Sequence, residues 1–537
     1  MIAIILGLVL GTFAEATVLK AGFNATNITP DLSRFKKIQL GGFDPHYPVP
    51  RSIHKNRIAD GVLDPIWARS LAIQNELGKT VLMMSTDLPG LSWKYINPVR
   101  RELSRRYGIP TSNIIIAATH THSAPDGMGY WVSFQWGHNE KYNHQLMEWM
   151  IESGSKAIED LRPAELKVLT AEHYSCFDPK TMELKRDAEC NIPKNYTVYE
   201  TPEGHNFDRL LIQHDKRDPI VRNTKISVMH FRDPVSKESM GTFINWHNHP
   251  ETLGSDNHKI SSDFPHYLRS YVEKHLGGTA VYFSGTLGCQ IGPGVPIPLW
   301  NENEEPVYTG QVGPSGQRIR ELVSSGNTDR TRSIGLEVGH EVVSAVRGNT
   351  EGYLTQAPLS VKSEPLDVAP TNFLHMVGTS SVWNFDVQAE DLTYWYPGRC
   401  WGKYGCVRTD IALIELANLS ILTGPAEIDP IYLYGREASR STWVRGKKTF
   451  TSDFKALEGV RKYMKGEHVA MLGQAQNYLS YMVHLNDNVG ALNFKHPNHY
   501  EEFVTVSKHL GDDLGNKWMQ LLGSPYRYSK RKILPKK

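Results

Sequence analysis

The sequence predicts an α/β fold made of mixed α+β layers, and two observations support this prediction. Short apolar runs rich in Ile and Val alternate with amphipathic segments of helical period along most of the chain. The 537 residues are 40% hydrophobic and 22% charged, which is typical of a globular protein. The net charge of +2 provides no field that would select a nucleic-acid partner, so we expect none.

The amino terminus predicts export from the cell. Residues 1–16, MIAIILGLVLGTFAEA, form a short apolar stretch that ends in Ala-Glu-Ala, as a secretory signal peptide does. The stretch is too short to cross a bilayer, and no other stretch approaches that length. Asn24, Asn27 and Asn195 each begin an Asn-X-Thr glycosylation acceptor. We therefore expect a secreted, extracellular glycoprotein without a transmembrane segment.

The five cysteines agree with an oxidising compartment. Cys176 and Cys190 are close in sequence, as are Cys400 and Cys406, and each pair is a plausible disulfide. Sequence alone does not fix this connectivity. Cys289 is left without a partner in this scheme.

The predicted elements of the first third follow in chain order. Residues 68–90 predict two strands joined at Gly78-Lys79. Ser92 predicts the start of a helix over 93–107, which Gly108 ends. A buried strand follows in IIIAATHTH, and another helix is expected near 144–161.

The rest of the chain continues the alternation. KISVMHF, GTFINWH and TAVYFSG predict strands, and 333–346 predicts a helix. IALIELANLSILTGPAE predicts one buried strand that ends in a Gly-Pro turn and an acid. Residues 294–331 are rich in Gly, Pro, Asn and Glu and show no period, so they form either a lid or an ordinary surface insertion. The sequence shows no internal repeat and no sharp domain boundary.

Two of the predicted strands end in the same pattern, His-x-His. His120 and His122 follow IIIAAT, and His247 and His249 follow FINW. Histidines at i and i+2 lie on one side of a strand, and paired imidazoles commonly bind a metal ion. Because α/β proteins place their sites at the carboxyl ends of strands, both pairs are expected to converge. The residues alone thus predict a metal site, with zinc as the expected ion.

Several segments of the sequence, including both His-x-His segments, resemble the motifs of a known family. THTHSAPDG, HPETLGSDNHKISSD, TGPAE and NYLSYMVH are similar, in this order, to signatures of the neutral (non-lysosomal) ceramidases. AGFNATNITPDL and GVLDPIWARSLAI are similar to the first strands of that family. The resemblance covers roughly residues 19–520. It implies a secreted or membrane-attached zinc amidase that cuts the N-acyl bond of sphingolipids.

The resemblance also implies roles for individual residues. Four residues would bind one Zn²⁺ per chain: His120, His249, Glu427 and Tyr481. His122 would face the substrate carbonyl and stabilise the oxyanion. Tyr500 would add a tyrosine to the pocket, although it lies farther beyond Tyr481 than the family pattern predicts. Independently of the resemblance, His247 is expected either to pack in the core or to support His249, and Asp263 to orient a histidine or a loop.

The sequence departs from the family in three places. The family has a serine beside the zinc, but Gly292 occupies its place in FSGTLGCQIGP. Attack by zinc-activated water, entry of Cys289 into the site, and a degraded site are all open interpretations, and an inert buried thiol is the alternative for Cys289. The family's Asn-Arg element is matched only by Arg186, which is either a substrate contact or a solvated charge. The family's carboxyl-terminal immunoglobulin-like domain is not expected here.

We therefore divide the chain into a signal peptide (1–16), a ceramidase-like catalytic domain (17–525) and a basic carboxyl-terminal tail (526–537). The tail is either solvated or a peripheral contact with an anionic membrane. The predicted function is zinc-dependent hydrolysis, by metal-activated water, of an N-acyl amide bond in a ceramide-like or other lipid-like substrate. A non-catalytic ligand-binding protein and an ester-specific metallohydrolase are the alternatives. The oligomeric state is not predicted.

Overall fold

Three sheets that share one arrangement of four strands form the framework of the protein, and the short strand Arg162–Pro163 adds a fifth strand to the first of them. The computed structural model describes residues 18–43, 57–128, 131, 139–172, 176–178, 183–185, 212–213, 221–291, 296–313, 316, 318–324, 327–372, 407–445, 448–490 and 500–529. In each sheet, three strands that follow one another in sequence pair antiparallel, and a fourth strand pairs parallel with the third. This repetition is a property of topology that the sequence does not display.

The first sheet contains β1 (Lys20–Asn27), β2 (Trp67–Gln74), β3 (Thr80–Thr86) and β4 (Ile114–Ala118). The second contains β5 (Glu165–Glu172), β6 (Lys225–Arg232), β7 (Ser239–Trp246) and β8 (Thr279–Ser284). The third contains β9 (Leu359–Val368), β10 (Val407–Leu416), β11 (Leu419–Thr423) and β12 (His468–Leu472). The parallel pairs are therefore β3 with β4, β7 with β8, and β11 with β12.

The inner faces of the three sheets share one hydrophobic core. Met83 of β3, Phe243 of β7 and Ile421 of β11 belong to the same buried cluster. Their neighbours in sequence point outward: Leu82 and Met84 of β3 pack in a separate cluster with the helices. This alternation follows from the two-residue period of a strand. The sheets are consequently buried on both faces, which explains why their strands read as continuous apolar runs.

The helices cover the outer faces. α1 (Trp93–Tyr107) and α2 (Glu140–Glu159) pack on the first sheet, and α3 (Phe264–Leu276) and α4 (Thr328–Gly348) pack on the second. Beside the third sheet lie α5 (Pro430–Tyr434) and α7 (Leu510–Leu521), and α6 (Tyr500–Val504) precedes α7. None of the helices in the described part of the chain is long and apolar enough to span a bilayer.

Shorter elements complete the described chain. Three are single 3₁₀ turns: Thr111–Asn113, Val460–Tyr463 and Leu485–Asp487. The others are short strands: Gly61–Val62, Arg162–Pro163, Cys176–Asp178, Glu183–Lys185, Ile212–Gln213, Lys259–Ile260, Gln290–Ile291, Ile297–Pro298, Tyr308–Val312, Arg318–Arg320, Leu322–Val323, Gly435–Arg436, Ser439–Arg445, Lys448–Phe454 and Leu457–Glu458.

The predicted mixed helix and strand fold is confirmed, and α1 is predicted to the residue. The Ser92 side chain accepts a hydrogen bond from the Lys94 amide at 3.2 Å, and Gly108 ends the helix with a φ of 68°. The expectation of one strand through IALIELANLSILT is wrong, since a hairpin divides this run into β10 and β11. Ala417 makes the turn in a left-handed conformation, with a φ of 51°, that no glycine signals.

Residues 294–331, predicted to be either a lid or a surface insertion, form several short strands in their described part. Trp300, in its described part, is buried against α4 and donates from Nε1 to Glu337 Oε1 at 2.7 Å. This anchoring favours a surface insertion over a lid. The signal peptide, residues 530–537 of the basic tail, and the side chains of Cys176, Cys190, Cys400 and Cys406 lie outside the described residues.

Candidate metal centre

The carboxyl ends of the parallel strand pairs converge on one buried site. After β4, the backbone amide of His120 donates to the Leu88 carbonyl, which follows β3, at 2.9 Å. After β7, the His249 amide donates to the Gln290 carbonyl at 3.2 Å. After β11, the backbone of Glu427 pairs with that of Tyr481, which follows β12. All three sheets therefore contribute a segment, as expected for a site at strand ends.

The side chains of three histidines and one glutamate meet in this site. The candidate ligand atoms of His120, His122 and His249 all lie within 4.8 Å of one another. His120 Nε2 is 3.2 Å from His122 Nε2 and 3.5 Å from Glu427 Oε1. His249 Nε2 is 2.9 Å from Glu427 Oε2. All four side chains are buried.

Backbone carbonyls fix the orientation of two of these imidazoles. His120 Nδ1 donates to the Pro89 carbonyl, and His249 Nδ1 donates to the Gln290 carbonyl at 2.7 Å. A carbonyl can only accept, so each of these rings carries a proton on Nδ1 and directs Nε2 into the site, where Nε2 offers a lone pair whenever the ring is neutral. Metal-binding histidines characteristically donate their second ring nitrogen in this way.

This arrangement leaves an excess of acceptors facing one another. Two Nε2 lone pairs and the Glu427 carboxylate lie within 3.5 Å contacts, where they repel unless a proton or a cation lies between them. The charge of His120 and the hydrogen bonds of both histidines outweigh burial and hold the Glu427 pKa well below its usual range. Burial alone would lower the His249 pKa, but Glu427 outweighs it and raises that pKa to about 9.

The donor set fits a zinc ion. Imidazole nitrogens and a carboxylate oxygen are the usual ligands of a catalytic Zn²⁺, and a divalent cation would satisfy the opposed acceptors by displacing the His249 proton. His120, His249 and Glu427, three of the four predicted ligands, present donor atoms to the site. His122 is predicted as a catalytic group, but its Nε2 also lies within reach of the same point.

The predicted tyrosines stand at the edge of this cluster. The Tyr481 ring stacks beside His249 with 6.4 Å between centroids, and the Tyr500 ring lies 5.7 Å from Tyr481. The long interval between these two tyrosines in sequence is therefore compatible with their proximity. Burial raises the pKa of Tyr481 well above its usual range, so this phenol is neutral in the absence of a cation.

Tyr478 is a site residue that the sequence analysis missed. Its hydroxyl donates to Glu427 Oε1 at 2.7 Å, and its ring stacks on His120 with 5.5 Å between centroids. It also packs against Trp131, at 5.3 Å. The signal was present in Asn-Tyr-Leu-Ser-Tyr, where the first tyrosine of the Tyr-x-x-Tyr pair received no role.

His247 is buried but does not join the three other histidines in the group that could hold a metal. Its Nδ1 accepts from the Thr286 amide at 2.9 Å, and burial lowers its pKa to about 3. Its carbonyl accepts from Gln290 Nε2 at 2.6 Å. The Gln290 carbonyl in turn accepts a hydrogen bond from His249 Nδ1. His247 therefore supports the orientation of His249 indirectly, through Gln290.

Asp263 orients a loop. It begins α3, and its carboxylate accepts from the Thr252 hydroxyl at 2.5 Å and the Leu253 amide at 3.1 Å. These two residues follow His249-Pro-Glu in the chain, so Asp263 fixes the segment that leaves the site. Burial raises the pKa of this carboxyl to about 6.

Four residues of the site region have strained backbones. These are His120, Asp263, Cys289 and Ser480, with φ values of 66°, 62°, 67° and 64°. Non-glycine residues in this conformation persist only where the surrounding structure imposes it, and they concentrate at functional sites. For His120, this turn directs the chain out of β4 and toward the centre of the site.

Of the residues where the sequence departs from the family, Cys289 and its neighbour Gln290 are among the described ones. Cys289 is buried, and its thiol donates to Asp429 Oδ2 at 3.5 Å, so it packs under the turn that follows Glu427. Gln290 is wholly buried and bridges the Asn223 amide and the His247 carbonyl. Gly292 and Arg186 lie outside the described residues.

The chain is similar to neutral ceramidases in a short part of its sequence and in its fold. No family model matches the chain. Over 73 residues it is 32% identical to a neutral ceramidase of Drosophila pseudoobscura pseudoobscura, and this segment is 13% of the chain and 10% of that relative. The structure is similar to that of the neutral ceramidase from Pseudomonas aeruginosa, with a TM-score of 0.59 and 17% identity, over 94% of this chain and 73% of that one.

A second solved structure, a ceramidase complexed with C2, gives a TM-score of 0.58 at 17% identity over 94% of this chain and 74% of that one. At this identity the likeness concerns the fold. The resemblance predicted from the His-x-His and Tyr-x-x-Tyr motifs thus extends to nearly the whole chain. The chain therefore has a fold similar to that of the neutral ceramidases, from which its sequence has diverged.

Proposed function

We propose that this protein is a zinc-dependent hydrolase that cleaves the N-acyl amide bond of a ceramide-like or related lipid-like substrate. The observation that carries the proposal is the buried group of His120, His249 and Glu427, whose donor atoms face one another on a fold shared with neutral ceramidases. The substrate class rests on that likeness and on the motifs. Secretion stays a prediction based on residues 1–16.

His120, His249 and Glu427 would hold the ion, and Tyr481 is the fourth predicted ligand. A bound Zn²⁺ would lower the pKa of a water molecule and polarise the amide carbonyl. The remaining chemistry belongs to the chain. His122 presents Nε2 at the same point, within reach of the reacting atoms, and Tyr500 lies beyond Tyr481 as the second predicted group beside the carbonyl.

Burial makes these groups effective. His122 lies in a site from which bulk water is excluded, and burial together with the charges of His120 and His249 lowers its pKa well below the usual range. A neutral imidazole can donate a hydrogen bond to the developing oxyanion from the ring nitrogen that carries its proton, which is the role that the resemblance implies for His122. Groups fixed in a dry site stabilise developing charge without the reorganisation that water requires.

Metal analysis combined with matched substrates tests the proposal. We expect about one zinc per chain and release of fatty acid from a ceramide carrying a fluorescent acyl chain, with loss of both after chelation and recovery on adding zinc. An ester of the same acyl chain and alcohol would be cleaved more slowly. Zinc at this stoichiometry without cleavage of any acyl amide would overturn the enzymatic proposal in favour of a ligand-binding protein, and preferential ester cleavage would overturn the amide assignment.

A further inference from the structure

We propose that Thr505 and Asn372 are positioning residues for the two tyrosines of the site, Tyr481 and Tyr500. Thr505 fixes the backbone of Tyr481 beside the metal centre, and Asn372 holds the short helix α6, which begins with Tyr500. This inference rests on the proposed function and deepens it, because it says what keeps the fourth predicted ligand and the second predicted catalytic group in place. The sequence analysis gave neither residue a role.

The segment that contains Tyr481 is held between two neighbours. On one side, its backbone pairs with that of Glu427, whose amide donates to the Ser480 carbonyl at 2.9 Å. On the other side, the Thr505 hydroxyl donates to the Tyr481 carbonyl at 2.7 Å. The Ser507 carbonyl is farther from this hydroxyl, at 3.5 Å, so the single hydroxyl proton goes to Tyr481. Thr505 is 2% exposed, and water does not compete for this bond.

Helix α6 is too short to be stable by itself. It has five residues, little more than one turn, whereas isolated helices need about 12 to 15 residues. A helix of this length also leaves the carbonyls of its last residues without partners inside the helix. The position of α6 therefore depends on donors from other parts of the chain.

Asn372 supplies such donors at the end of α6. Its Nδ2 lies 2.7 Å from the Phe503 carbonyl, 2.9 Å from the Thr505 carbonyl and 3.4 Å from the Glu502 carbonyl. The Asn372 amide also donates to the Val506 carbonyl at 3.3 Å. Asn372 is 6% exposed and lies 131 residues before Phe503, in the segment that follows β9. One distant side chain thus fixes where α6 ends.

The apolar side of α6 connects the helix to the site. Phe503 and Val504 share a buried cluster with Tyr481, and Tyr500 packs against this cluster. The rings of the two tyrosines meet edge-on, with 5.7 Å between centroids. A displacement of α6 would therefore move Tyr500 directly. It would also draw the Thr505 hydroxyl away from Tyr481, because the Thr505 amide is bonded to the first turn of the helix.

Thr505→Val tests the first assignment, because valine keeps the shape of the side chain but lacks the hydroxyl. We expect zinc affinity, measured by competition with a chelator, to fall about 10- to 100-fold, and Thr505→Ser to stay within about 3-fold of the wild type. Ser153→Ala is the matched control. The Ser153 hydroxyl also donates to a buried carbonyl, that of Ala68 at 2.9 Å, but between α2 and β2. This control should bind zinc as the wild type does.

A double-mutant cycle separates positioning from general destabilisation. In a Tyr481→Phe background, Thr505→Val should change zinc affinity by less than about 2-fold, because the hydroxyl that Thr505 positions is no longer there. An equal loss of affinity in both backgrounds, or an unchanged affinity in Thr505→Val, would overturn the inference. A wild type that binds zinc but cleaves no amide overturns the proposed function instead, and the cycle then decides the positioning alone.

A second readout depends on neither zinc nor turnover. Fluorine NMR of the zinc-free protein with labelled tyrosine, assigned with Tyr481→Phe and Tyr500→Phe, reports the surroundings of both rings. Asn372→Ala should shift both resonances and Thr505→Val that of Tyr481, whereas Ser153→Ala should shift neither. Unshifted resonances in Asn372→Ala would overturn the role of Asn372. If the wild type binds no zinc, the proposed function fails and this measurement decides the positioning.

Discussion

The two His-x-His segments look alike in sequence but differ in what their histidines do. His120 and His122 both reach the metal centre after β4, with their Nε2 atoms 3.2 Å apart. After β7, His249 reaches Glu427, while His247 accepts a hydrogen bond from the Thr286 amide instead. The pattern marks where a buried strand ends. The turn that follows the strand decides how many of the histidines face the site.

The largest expected effect is the difference between substituting the two histidines of the second segment, His247 and His249. His249→Ala should remove both zinc and amide hydrolysis, because it deletes a donor atom and leaves Glu427 without its closest charged partner. His247→Ala should keep about one zinc per chain and lower zinc affinity by at most about 10- to 100-fold, since it acts only through Gln290. Metal analysis and fatty-acid release on the two variants measure the difference. Equal loss of zinc in both would contradict the assignment.

The next effect separates the two histidines of the first segment. His122→Ala should keep zinc and lower kcat by about 10²- to 10³-fold, the usual cost of removing one group that stabilises an oxyanion. His120→Ala should lose zinc, because His120 Nε2 faces Glu427 Oε1 at 3.5 Å. Zinc content and single-turnover rates distinguish the two. A His122→Ala protein without zinc would make His122 a ligand.

A smaller effect is expected at the aromatic support of the site. Tyr478→Phe removes the hydroxyl that donates to Glu427 Oε1, so zinc affinity should fall about 10- to 100-fold. Tyr107→Phe is the matched control, because the Tyr107 hydroxyl also donates to a carboxylate, Glu159, but far from the site. Competition with a chelator measures the affinities. Indistinguishable affinities would show that Tyr478 acts only through packing.

The smallest effect at neutral pH concerns a histidine outside the centre. Burial, with the charge of Arg232, lowers the pKa of His230 to about 4. Between pH 6.5 and 4 the unfolded chain binds a proton there that the folded protein does not, so stability falls as the pH falls. His230→Gln should reduce this slope by up to about 1.4 kcal/mol per pH unit. Urea unfolding across this pH range measures it, and an unchanged slope would contradict the cause.

What the sequence predicted well was local. α1 followed from its cap residues and apolar stripe, and β4 followed from its apolar run. The convergence of His120 and His249 followed from two motifs that each mark a strand end, whereas Glu427 was placed with them by the resemblance to the ceramidases. These signals work because secondary structure and strand exits depend on residues close in sequence.

What the sequence could not predict depends on distant contacts. Tyr478 meets its partner Glu427 across 51 residues of sequence, and Arg57 meets the His122 carbonyl across 65. The three-sheet repetition leaves no sequence repeat, since each sheet uses its own apolar residues to fill the shared core. The hairpin at Ala417 was not predicted because a non-glycine residue adopts the left-handed conformation of the turn there.

The convergence of three sheets on one centre has a consequence for biosynthesis. About 300 residues emerge from the ribosome between His120 and Glu427, so the early histidines await a partner supplied by the last sheet. Capture of an ion at the proposed centre would therefore coincide with closure of the third sheet on the first two. A nascent chain stalled before β11 would present imidazoles without their carboxylate, and uptake of zinc would time the end of folding.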